Sequence, residues 1–179
     1  MHKNIEKKLS SQRGFTFVEI IIYLAIVGMV VTSLVTFALS ISGQQNKNYV
    51  VQEVQANART ALDIMSQRIK SASDVNIDSS VFGANPGTLS LAMADAGKNP
   101  TIIDLTGANG TLQIKEGIAS PVALTSNKVK VTNLVFTNRG HQGKRRIIGI
   151  DLTVAYNSDN SDVYFNYSET VRTAVTVRK

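Results

Sequence analysis

Arg13-Gly14-Phe15-Thr16-Phe17-Val18-Glu19-Ile20-Ile21 joins a short basic leader to a long apolar run. A glycine marks the boundary, and one carboxylate, Glu19, lies just inside the apolar side. From Ile20 to Ile41 no residue is charged, and a run of about 22 residues spans a bilayer as a helix. An unpaired ionisable group costs roughly 2.5–3.5 kcal/mol at the membrane centre, so an intramembrane carboxylate predicts a function and a partner. The partner expected for Glu19 is an N-terminal amine, which exists only if the chain is cut between Gly14 and Phe15.

This stretch resembles the prepilin-type signal of type IV pilins, type II secretion pseudopilins and competence pseudopilins. The resemblance implies that prepilin peptidase cuts after Gly14 on the cytoplasmic side and then methylates the new N-terminus, Phe15. It also implies that Glu19, at the place where the family carries its glutamate, recruits the subunit to a growing filament. Glycine lacks a Cβ, so its backbone enters a narrow protease cleft closely. A Glu19 carboxylate paired with the Phe15 amine of a neighbouring subunit is satisfied at one axial offset only. A buried ion pair is weak support for stability but can set register.

Other readings compete. An ordinary secretory signal has an apolar core of about 7–15 residues followed by a small-residue cleavage site. Ala38-Leu39-Ser40 offers such a site, but the run is longer and holds Glu19 at its start. A plain single-pass anchor needs neither the glycine nor the carboxylate. A buried soluble helix has no use for Lys3, Lys7, Lys8 and Arg13 immediately before it. Those cations predict a cytoplasmic leader and a C-terminus outside the cytoplasm.

With 179 residues the chain has room for a membrane helix and one modest domain. The net charge is +6, of which the leader supplies +3, so the basic character is half a targeting effect and is not in itself a nucleic-acid signature. There are no cysteines; thiolate metal sites and thiol catalysis are excluded, and an extracytoplasmic domain must stand on its core and sheet hydrogen bonds. Many Gram-negative major pilins close a C-terminal loop with a disulfide and carry a proline in the first helix. Here there is no disulfide, and Thr36 stands where that proline would fall, which leans toward a minor subunit or pseudopilin.

Helical periodicity continues past the apolar run. Val51, Val54, Ala58, Leu62, Met65, Ile69 and Ala72 recur at steps of three and four, one face of an amphipathic helix. Gln52, Glu53, Asn57, Arg59, Asp63 and Arg68 occupy the other face. With no proline before Pro86, one helix is expected from about Phe17 to Ser73, softened at Gly43 and able to unwind at Gly28; at 1.5 Å per residue it would be roughly 85 Å long. From Asp74 the composition turns to Gly, Asn, Ser, Thr and Val, with turns at Asn85-Pro86-Gly87 and Asn109-Gly110. Strands are expected at 88–93, 101–105, 111–115, 122–124, 129–137, 146–156 and 163–177, the last interrupted near Ser168-Glu169. Ile148, Ile150, Leu152, Val154 and Tyr156 alternate strictly, as in a half-buried antiparallel strand. The expected fold class is α+β: one long helix packed on a single, mainly antiparallel sheet, the pilin-like lollipop that the resemblance also implies. The expected divisions are a cleaved leader at 1–14, a transmembrane and filament-core helix at 15–42, its amphipathic continuation at 43–73, and a β-rich domain at 74–179.

The order of parts resembles the J-type minor pseudopilin and the larger minor pilins. The residues that carry this are Asn57 to Ser66, Arg68 to Ala72, Thr132 to Phe136, Ile150 to Val154 and Thr173 to Arg178.

No active site, cofactor site or metal site assembles in the soluble part, so no enzyme is expected. The histidines are His2 and His141, and no nucleophile-elbow, zinc-protease or phosphate-loop pattern occurs. The tip Arg139 to Arg146 is basic; it suits a solvated turn, with unspecific contact to DNA phosphates or lipid headgroups as the functional alternative. Asn157 to Asp162 offers oxygen ligands but lacks the glycine and distal glutamate of a calcium loop. Tyr164-Phe165-Asn166-Tyr167 reads as a core edge, with a ligand platform as the alternative.

These features describe a minor pilin or pseudopilin of a type IV pilus or type II secretion system. The precursor would sit in the inner membrane, with membrane lipid, prepilin peptidase, the inner-membrane assembly platform and other pilin or pseudopilin subunits as partners. A competence pseudopilin for DNA uptake is the alternative within the family. A binding domain secreted by ordinary signal peptidase is the alternative outside it.

Overall fold

A computed structural model of the chain describes residues 14–106, 110–140, 146–158 and 165–178. The chain divides into two compact units, residues 1–42 and 43–179.

Helix α1 runs Phe17–Ser71. Gly28 and Gly43 are both helical; one glycine costs about 1 kcal/mol in a helix, less than the surrounding ladder recovers. In the first unit every large apolar side chain from Phe15 to Ile41 is exposed. In the second, Val50, Val54, Ala58, Ala61, Met65 and Ile69 form the buried stripe. Arg68 and Lys70 lie in the last turn, where cations complement the helix dipole.

The polar face departs from expectation. Glu53 and Asn57, placed on the solvent side by periodicity, are half-buried and reach across to the sheet domain. Asn57 Oδ1 accepts from the Ser126 N–H at 2.8 Å, and Glu53 Oε1 accepts from Ser126 Oγ at 3.1 Å. Arg68 pairs with Glu116 at 2.8 Å. The helix is flanked widely enough that its contact surface exceeds one apolar stripe, and polar groups at the margin find partners because burying them without would cost free energy.

Among the described residues eight strands follow: β1 Asp74–Val75, β2 Leu89–Ala92, β3 Thr101–Thr106, β4 Thr111–Glu116, β5 Val122–Ala123, β6 Val129–Asn138, β7 Ile147–Tyr156 and β8 Ser168–Thr176. The α+β class is as expected, but the single sheet is not. β1 to β5 form a five-stranded meander and β6 to β8 a three-stranded one, every pairing antiparallel. β1 was not foreseen, since two residues carry no periodicity. The last strand runs unbroken from Ser168, so the interruption expected near Ser168-Glu169 does not occur: both residues pair with β7; Val163 and Tyr164 lie outside the described residues. Before it, Phe165 stacks on Tyr156 with ring centroids 6.1 Å apart, and the Tyr167 hydroxyl donates to Glu169. That bond, with burial second, raises the Tyr167 phenol above the usual tyrosine range.

The core of the second unit collects Met65 and Ile69 from α1, Leu89 and Ile103 from the first sheet, and Phe136 and Leu152 from the second. Alternation places these side chains: Ile148, Ile150, Leu152 and Val154 are all buried, and Phe136 sits opposite Ile150 across the β6–β7 ladder.

The two sheets meet along the outer edge of β6. Phe82 bridges Phe136 in parallel, Gly87 N–H donates to Leu134 O at 2.8 Å, and Val131 N–H donates to Gly110 O at 2.8 Å. Asn85 completes the seam with its side chain, its Oδ1 accepting from the Leu134 N–H at 2.9 Å. Gly110 has φ +57° and a Cβ there would stand 2.2 Å from Val131 O. Gly110→Ala combines a left-handed backbone with a backbone clash and is expected to cost about 2–4 kcal/mol, read as a lowered denaturant midpoint for the full chain in detergent.

Candidate functional site

The processing and assembly residues foreseen in the sequence come together at the head of α1. Gly14, Phe15 and Thr16 precede the helix in a non-helical segment. Thr16 caps it: its Oγ1 accepts from the Glu19 N–H at 3.3 Å, and its carbonyl accepts from the same N–H at 3.1 Å and from Ile20 N–H at 3.2 Å. Thr-x-x-Glu is the pattern of a capping box, so the residues that mark the boundary also start the helix. Glu19 lies in the first turn, where the unsatisfied N–H groups favour a negative charge.

Tyr23 joins this group. Its hydroxyl donates to Glu19 Oε1 at 3.1 Å, and its ring meets that of Phe15 edge-on, centroids 6.4 Å apart and planes at 72°. Glu19 and Tyr23 therefore share one helix face, and the Phe15 ring, from the segment before the helix, packs against Tyr23. Tyr23 was missed from sequence, although its position four residues after Glu19 is the signal for a side-chain pair on a helix. One carboxylate oxygen is occupied by Tyr23, and no described cation lies within ion-pair distance of the group.

Behind this head the helix is long and apolar enough to cross a membrane. Gly28, Thr32, Thr36 and Ser40 line a shallow groove along one side. Thr32 Oγ1 donates to Gly28 O at 2.8 Å and Thr36 Oγ1 to Thr32 O at 2.9 Å. Both hydroxyls are satisfied within the helix, so apolar surroundings impose no penalty on them.

Elsewhere the suggested sites are partly occupied by structure. Arg146 of the basic tip is half-buried and donates its Nε–H to Asp74 at 2.6 Å; Arg139 is exposed, and His141 to Arg145 lie outside the described residues. Of the oxygen-rich loop, Asp159 to Asp162 also lie outside them. Among the described residues no three His, Asp or Glu side chains gather into a metal-holding group. Lys128, exposed, donates to the Tyr49 hydroxyl, which holds its ammonium above the usual lysine range; the pair fastens the β5–β6 loop to α1.

Residues 9–35 match the family of the prokaryotic N-terminal methylation motif. No curated protein and no solved structure matches the chain. The motif supports a type IV pilin-like, membrane-anchored protein that is processed by prepilin peptidase and assembled with other pilin subunits. With a long N-terminal helix followed by antiparallel sheets, the chain has a prepilin-type N-terminus and a fold class consistent with the type IV pilin and pseudopilin family.

Proposed function

We propose that this protein is a minor pilin or pseudopilin, a non-catalytic filament subunit, with the J-type minor pseudopilin as the nearest pattern for its order of parts. Prepilin peptidase cuts between Gly14 and Phe15 and methylates Phe15. The subunit waits in the inner membrane as a single-pass protein with residues 43–179 outside the cytoplasm. It then enters a filament through residues 15–42, and Glu19 takes the N-terminal amine of a neighbour.

One observation carries this reading: the Glu19 carboxylate is held at the head of an apolar helical stretch whose large side chains are exposed as far as Ile41, with one oxygen bound to Tyr23 and no described cation beside it. Isolated in lipid, such a group costs several kcal/mol. A neighbour's amine relieves that cost only when the two helices are offset so that the groups meet.

Mass spectrometry of the chain purified from its host membranes tests the reading. The expected species begins at Phe15 and carries one N-terminal methyl group. A chain beginning near Ile41, or one retaining Met1 beside an active peptidase, would refute it.

A further inference from the structure

β8 presents the longest open strand edge among the described residues. The hydrogen bonds fix which of its backbone groups are used. Tyr156 N–H donates to Tyr167 O and Val177 N–H donates to Arg146 O, both at 3.0 Å, and the β7–β8 register runs unbroken between them. In an antiparallel ladder hydrogen-bonded pairs alternate with non-bonded ones, so odd-numbered residues from 167 to 177 spend their N–H and C=O groups on β7. Ser168, Thr170, Arg172, Ala174 and Thr176 point theirs away. All five are exposed, and no described group bonds to those outward N–H and C=O groups.

Proteins ordinarily cover or shorten such edges, and this one does so elsewhere. The outer edge of β6 is closed by Phe82, Asn85, Gly87 and Gly110, and the terminal strands of the other sheet, β1 and β5, are two residues each. Among the described strands only β8 keeps a nine-residue edge.

We propose that this edge takes an extended, acidic segment of a different subunit of the same filament as a fourth strand, a step that rests on the filament reading above. Strand addition draws on main-chain hydrogen bonds for affinity and on alternate side chains for specificity. The side chains of the five outward residues share one face of the sheet. Their single charge is Arg172, at the strand's midpoint and largely exposed, with one nitrogen on Asp151 at 2.7 Å. A second copy of this chain fits poorly. Two β8 edges can pair antiparallel only by matching outward residues to outward residues, and none of those is acidic. The central register would set Arg172 against Arg172. Glu169 cannot answer it, because its backbone faces β7 and its side chain lies on the other face, bound to Tyr167. A foreign strand with Asp or Glu opposite Arg172 completes the ladder and meets the exposed guanidinium beyond the one nitrogen that Asp151 takes.

The native sequence has no cysteine, so Ala174→Cys in the full-length chain, expressed in its host, carries a unique cross-linking handle. It is expected to cross-link to an acidic segment of another filament subunit, while Thr173→Cys is not. Ala174→Pro and Thr170→Pro each remove an outward N–H that the β7 ladder does not use, a position where edge strands accept proline. Each is expected to lower recovery in filaments about tenfold, the effect of a modest binding loss, with chain level and processing at Phe15 unchanged. Full recovery of both proline variants, or cross-links from Ala174→Cys to a second copy alone, would overturn the edge proposal while leaving the filament reading intact. Absence of the unsubstituted, processed chain from filaments would overturn both.

Discussion

Gly14→Val is expected to leave the entire population as uncleaved, unmethylated precursor in the membrane. Folding does not explain such a loss. A Cβ at Gly14 would meet nothing within 4 Å, and its backbone is not among the positive-φ glycines. It precedes the first turn of α1 and touches neither the Thr16 cap nor Tyr23. The whole effect would therefore arise in the peptidase cleft, where a β-branched side chain keeps the scissile backbone from its catalytic groups. An immunoblot that separates precursor from a product 14 residues shorter reads the result. A mature-length band from the valine variant would mean that the cut lies elsewhere.

The second large effect is expected from Glu19→Ala. Alanine is the best helix former, and the Thr16 cap binds the backbone N–H of residue 19, so helix, insertion and processing should survive. Filament incorporation should not, because the neighbour's amine then lies unpaired in apolar surroundings. Recovering 2.5–3.5 kcal/mol of pairing corresponds to roughly two orders of magnitude in incorporation. Tyr23→Phe separates orientation from charge. It retains the ring that meets Phe15 and deletes one hydroxyl bond of roughly 1 kcal/mol, so its loss should be about fivefold. Quantifying each variant in sheared filaments against its membrane pool gives the ratio. Wild-type incorporation of the alanine variant would dispose of the carboxylate as a register device.

Much of this site was legible without coordinates because its logic is local. Gly14, Phe15 and Glu19 lie within six residues, and the cap, the first turn and the apolar run follow from short-range spacing. Tyr23 is equally local, one turn beyond Glu19 on the same helix face. The buried stripe of α1 was read nearly to the residue, but Val50 and Ala61 replaced Val51 and Leu62 at its centre. Periodicity tells that a stripe exists; its angular centre is set by what the helix lies against.

By itself the sequence determined the helix, the prepilin-type head and most strands, since each rests on contacts between residues three, four or two positions apart. The tertiary structure decided which strands pair and which edge stays open. Asn85 supplies a side-chain carbonyl where β6 lacks a strand partner, 49 residues away in sequence, and no pattern along the chain announces that substitution. Glu53 and Asn57 turned from solvent to anchors by the same kind of distant contact with Ser126. Sheet partners and polar anchors depend on loop closure and on the satisfaction of buried groups, and these are properties of the packed molecule, not of any one segment.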